Sequence, residues 1–315
     1  MTYDSLFKQF FPEGAGATPS FLIDSIPSKT SDKRSFLNAQ PLESLKEILN
    51  HDFSLFEYLE SPSYELKKYF VSNNFKALTF IPEQTEELCS IALQNFPESF
   101  EFINNKTESL TLLFIQEFPS GFVNLPSNLK TRNVCIEAIK YHGNFIKFVP
   151  KQTQELCNLA LAGSYISFQY IENEFLREND IIDVLSRNGM YLRYLPVEQR
   201  SDYFSYIAVN SDALAIEYVI NQTPELCNLA VLSNAWSIQF IKNPTSALYK
   251  LAVEQDPLVI REIPDNFQTE ELCLKSVSVY GLSLEYVINQ TQEICISALT
   301  NNRDAIKYVN KKVFD

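Results

Sequence analysis

The stretch QTPELCNLAVLSNAWSIQFI, residues 222–241, decides how the chain folds, because its opening recurs. QTEELCSIA stands at 84–92, QTQELCNLA at 152–160, QTEELCLKS at 268–276 and QTQEICISA at 290–298. Counted from the Cys, equivalent positions fall at 45, 67, 89, 111, 135, 157, 181, 205, 227, 249, 273 and 295, at intervals of 22 or 24 residues. The residue four past each reference is aliphatic in all twelve repeats, from Leu49 to Leu299, and so is the residue fourteen past, from Leu59 to Val309. The row at +11 is apolar throughout, and the row at +13 is Phe or Tyr in ten repeats.

Positions −1, 0, +3 and +4 share one face of a 3.6-residue period, as do +10, +11 and +14. Each repeat therefore reads as a helix A of about ten residues followed by a shorter helix B. The punctuation agrees. Ser or Thr stands at −4 in ten repeats (Thr223 is one), where its hydroxyl can accept from the open N–H groups of the first turn. Glu two residues later, such as Glu225 or Glu293, suits the positive end of the helix dipole. Pro224 takes the first helical position, where its missing N–H costs nothing. Asn or Asp at +7 with Gly or Pro at +8 marks the A–B turn, and Pro82, Pro126, Pro150, Pro196 and Pro264 at +15 end helix B. Helices this short cannot bury an apolar face alone, so the fold expected over 41–315 is an all-α solenoid, elongated or curved. Ala at +3 in seven repeats would let neighbouring backbones approach closely.

At these residues the chain resembles an uncharacterised repeat family of bacteriophage and giant-virus proteins, whose units read QT-x-E-[IL]-C-x-x-A-[LV] followed by A-[LI]-x-Y-[VI]. QTQEICISALTNNRDAIKYV, residues 290–309, carries the resemblance most fully, then 222–241. It covers the repeated region, weakens where QT and Cys are absent as in 181–196, and excludes residues 1–40. The resemblance implies a solenoid and a viral origin, and it assigns no activity and no site.

Composition narrows the function. The formal charge is −13, and the repeated region carries the excess. Phosphate backbones attract basic surfaces, so direct nucleic-acid binding is not expected. No apolar run approaches the roughly 18 residues of a membrane span. The opening MTYDSLFKQFFPEG lacks the build of a signal peptide, so the expected compartment is the cytoplasm, the host's if the protein is viral. All six Cys stand at the reference position, without a CxxC pair, and read as small buried thiols. His51 and His142 have no partner at a motif spacing. Gly14-Ala15-Gly16 follows no strand and is a weak phosphate-loop candidate, and no nucleotide-binding, nucleophile-elbow or zinc-protease motif occurs. The expectation is a protein without catalysis, cofactor or metal.

One row breaks the uniformity. Position +9 is polar in the first five repeats and then apolar in six in a row: Ile166, Met190, Leu214, Trp236, Leu258 and Leu282. Equivalent positions align on a solenoid, so these residues form either cover for helix B or a partner-binding stripe holding the only Trp. The outward +12 residues Arg193, Gln239 and Arg261 adjoin it. Residues 1–40 form a distinct extension in which Leu6, Phe7, Phe10 and Phe11 cluster at helical spacing, as a cap on the first repeat or a docking segment. The functional expectation is binding of another protein, as a virus-encoded inhibitor or adaptor acting on a host defence protein. The alternatives are a structural scaffold in a viral or cellular assembly and, more remotely, an acidic mimic of nucleic acid.

Overall fold

The computed structural model describes residues 19–314 and, among them, side chains from Leu22 onward, so the cluster Leu6–Phe11 and the Gly14–Gly16 loop lie outside the described residues. Two compact bodies divide the chain, one ending at Lys151 and the other beginning at Gln152. Both are all-α helical repeat solenoids, and no strand occurs among the described residues.

Each of the twelve repeats contributes one α-helix of ten residues, from Leu42–His51 and Tyr64–Asn73 through Pro224–Ser233 to Gln292–Asn301. The start of ten of them is set by a hydroxyl at −4, while Pro41 precedes the first without a side-chain cap. In all ten repeats with Ser or Thr there, the hydroxyl accepts from the backbone N–H three residues on, as Thr223 does from Leu226 at 3.3 Å. The helix Glu178–Arg187 begins differently: Arg177 occupies the cap, and its backbone N–H donates to Asp180 Oδ2 at 3.3 Å.

Helix B is a 3₁₀-helix, spanning +8 to +13 in eleven repeats and shortened to Ala77–Phe80 in the second. The +7 residue before it is extended in every repeat but the fourth, where Phe118 has ψ 73°, and where it is Asn or Asp its side chain accepts the N–H of +9. Residue +14 after it is extended as well, with φ −84° and ψ 123° at Ile241. The +14 row therefore lies just beyond the helix, and the prolines at +15 reinforce a conformation that a following Pro favours in any case. Six residues between two extended ends accommodate two turns of three, which is the 3₁₀ period. The four 24-residue intervals spend their two extra residues on a further 3₁₀ turn: Ser127–Leu129, Asn173–Phe175, Val197–Gln199 and Asp265–Phe267.

The apolar rows make the core. Eleven of the twelve +11 residues are buried, and Ile306 of the last repeat is the exception at 63% exposed. All seven Ala at +3 are fully buried, and the approach they permit is close. A Cβ added to Gly189 would sit 2.0 Å from the Ala208 carbonyl oxygen of the next repeat, and one on Gly281 2.4 Å from that of Ala298.

The Gln of the QT motif joins successive B segments. Gln222 Nε2 donates to Ile216 O of the preceding repeat at 2.9 Å and to Phe240 O of its own at 3.0 Å, while Oε1 accepts from Lys242 N at 2.8 Å. Gln84, Gln268 and Gln290 make the same three kinds of contact. Gln152 makes the own-repeat pair, to Tyr170 O and from Glu172 N. In two repeats without the Gln a cation takes its donor role: Lys130 Nζ reaches Val123 O and Phe148 O, and Arg200 reaches Arg193 O, Leu195 O and Tyr218 O. In front of the first repeat, Asn38 supplies the equivalent pair, to Tyr58 O at 3.2 Å and from Glu60 N at 3.1 Å. Asn38 ends the helix Thr30–Asn38, which packs on the first repeat together with Pro19–Asp24 and buries Leu37, while Leu22 is buried as well.

Candidate functional site

The six apolar +9 residues all lie in the second body, so the change from polar to apolar at this position coincides with the passage from one body to the other. Each sits at the second residue of its 3₁₀-helix, where the +7 side chain holds the backbone: Met190 N donates to Asn188 Oδ1, Leu214 N to Asp212 Oδ1, Trp236 N to Asn234 Oδ1 and Leu258 N to Asp256 Oδ1, all at 2.9 to 3.0 Å. Ile166 and Leu282 follow Ser164 and Tyr280, which give no such side-chain bond. Ile166 is exposed and the other five are half-buried. Met190, Trp236 and Leu282 rest against the core of this body. The row is thus part cover and part open surface.

Trp236 is the most constrained of the six. Its indole Nε1 donates to Asp256 Oδ2 of the next repeat at 2.8 Å, while the other oxygen of that carboxylate accepts from Leu258 N. The Arg261 guanidinium lies over the ring, 4.3 Å from its centroid, and Nε pairs with Glu262 Oε1 at 2.8 Å. Gln239 Nε2 donates to Trp236 O at 2.9 Å. Two of the three outward residues singled out from sequence therefore converge on Trp236. The third, Arg193, instead donates to Tyr194 Oη at 2.6 Å and stacks on that ring at 4.7 Å. Its hydrogen bond to Tyr194 and a second to Tyr218 raise the Arg193 pKa, as the bond to Glu262 raises that of Arg261. Both stay cationic. In the sequence Asp256 shows only as the +7 turn residue of its repeat; its bond to the indole needs the Trp of the preceding repeat beside it.

The other chemistry-bearing residues have structural roles. All six thiols are free and buried, and burial pushes Cys157 and Cys273 up to about 11. Each Sγ faces the residue five before it, as Cys157 does Gln152 Oε1 at 3.4 Å. His142 Nδ1 accepts from Asn144 N at 3.2 Å, the same cap that Asn or Asp provides elsewhere, and His51 is exposed at a helix end. Among the described residues no group of His, Cys, Asp or Glu is arranged to hold a metal, and no helix is long and apolar enough to cross a membrane. Among family models, curated proteins and solved structures, none matches this chain.

Proposed function

We propose that the chain is a non-enzymatic protein-binding repeat protein that engages another protein through the Trp236 surface of its second body. The observation that supports this reading is the preparation of Trp236: its polar edge is bonded to Asp256, its face carries Arg261, and part of the ring stays open to solvent. An aromatic anchor already fixed in one orientation loses little entropy on binding, and Trp and Arg are the residue types that dominate binding energy at protein interfaces. The resemblance to phage and giant-virus repeats favours a host protein as the partner and an inhibitor or adaptor as the role.

Two variants test the reading by different routes. Trp236→Ala removes the anchor, at about 2 kcal/mol or more of binding if it is a hot spot. Arg261→Glu changes an exposed side chain and reverses charge on the Trp face without touching the core. Capture of a stoichiometric partner by the wild type, lost in both variants while Arg261→Glu keeps the wild-type melting profile, is the expected result. Unchanged capture by both would assign the stripe to packing alone, and capture of only further copies of the chain would favour a scaffold.

A further inference from the structure

A second surface lies wholly in the first body, around the third and fourth repeats. At +3, where seven repeats carry a fully buried Ala, the fourth carries Phe114. Its ring stacks on Phe100, the +11 residue of the preceding repeat, with centroids 4.2 Å apart and planes 10° from parallel. The second repeat makes the same stack, Phe70 on Phe56 with centroids 4.3 Å apart, but carries Ala77 where the fourth has Gly121. Gly121 leaves room for it, since a Cβ there would sit 2.4 Å from the Phe114 ring. Between the turns Pro97–Phe102 and Pro119–Asn124 remains a cleft of 410 Å³. That is within the range of about 300–1,000 Å³ typical of ligand pockets. Phe100, Phe114 and Phe118 line it, and Phe118 is 47% exposed, its ring tilted 54° from that of Phe114.

Charge selects what such an aromatic floor would take. Glu98 and Glu101 line the cleft and are exposed, and neither forms an ion pair among the described residues. The single cation of the lining, Lys106, is turned onto the protein: Nζ donates to Ile103 O at 2.6 Å and lies 5.3 Å from the Phe100 centroid. Nζ also donates to Glu101 O at 3.4 Å, and the Glu101 carboxylate acts on it through space, so Lys106 offsets part of that charge while Glu98 stays exposed without an ion pair. We propose that this cleft binds a peptide segment of a partner protein in which an aromatic side chain is flanked by lysine or arginine. The ring would enter against Phe114 and Phe118, and the flanking cations would meet Glu98 and Glu101. The net charge of −13 draws a basic segment toward the chain in the first place. This site is independent of the Trp236 surface, which lies in the other body.

The test uses the full chain and the peptide Gly-Lys-Lys-Trp-Lys-Lys-Gly, with analogues carrying Ala for Trp or Glu for every Lys, followed by ligand-observed NMR. Saturable binding of the first peptide is expected, with the Ala analogue weaker by about tenfold and the Glu analogue not bound. Phe118→Ala should weaken the first peptide by about tenfold, as should the exposed double change Glu98→Gln with Glu101→Gln, while Trp236→Ala should leave it unchanged. Equal binding of the Trp and Ala peptides would reduce the effect to plain attraction to an acidic chain and overturn the proposal. So would affinity undiminished in both cleft variants.

Discussion

At the scale of single residues, the Gln of the motif carries more than its place in a capping segment suggests. Gln268 is buried, and its amide nitrogen donates to Ile260 O, Ile263 O and Tyr286 O while its oxygen accepts from Ile288 N at 3.1 Å. Shortening it would leave these backbone groups without partners in a place water reaches poorly, at about 1–3 kcal/mol for each group left unmet. Gln268→Ala should therefore destabilise the second body by about 2–3 kcal/mol in urea unfolding. Gln268→Glu should be at least as damaging at neutral pH, because a carboxylate has no proton to give to the carbonyls, and it should recover part of the loss on acidification. An unchanged midpoint for both would mean that the bridge contributes nothing net.

At the scale of elements, two features fix most repeats: the hydroxyl cap that starts helix A in ten of them, and the contact of helix B with the next helix A, closest at Gly189 and Gly281. They differ in magnitude. Thr223→Ala removes one bond to one N–H, and should cost about 1 kcal/mol. Gly189→Ala places a methyl 2.0 Å from a backbone oxygen that cannot rotate away, so two repeats must separate. The expected loss is about 3 kcal/mol. Comparing the two melting curves checks the ranking, and an equal shift would show that the 189–208 contact yields easily.

At the scale of the whole molecule, stability in a repeat stack comes from each repeat covering its neighbour, so it is not uniform along the chain. The +11 residue is buried in every repeat but the last, where Ile306 is open. Native-state hydrogen exchange should accordingly be faster for the amides of Gln292–Asn301 than for those of Pro224–Ser233, although the two helices have the same length and the same Thr cap. Equal protection would indicate that intrinsic helix stability outweighs neighbour contacts.

The sequence by itself determined what is local or periodic. The 22- and 24-residue spacing placed all twelve helices, the Ser and Thr at −4 marked ten of their starts, and Ala at +3 announced close packing. These features depend on a residue and its neighbours within a turn, which a linear string displays. Only the tertiary structure decided the rest. That helix B is 3₁₀ follows from the extended residues at both its ends, and the role of Gln222 from carbonyls on two repeats, 6 residues back and 18 ahead. Asp256 joined Trp236, and Phe114 came to line a cleft with Glu98 and Glu101, because stacking brought together residues far apart in sequence. A period shows which rows face inward; it does not show how far the next repeat stands off. That distance is set by side-chain volume at the contact: an Ala at +3 admits the backbone of the neighbouring turn, whereas Phe70 and Phe114 meet the +11 ring instead.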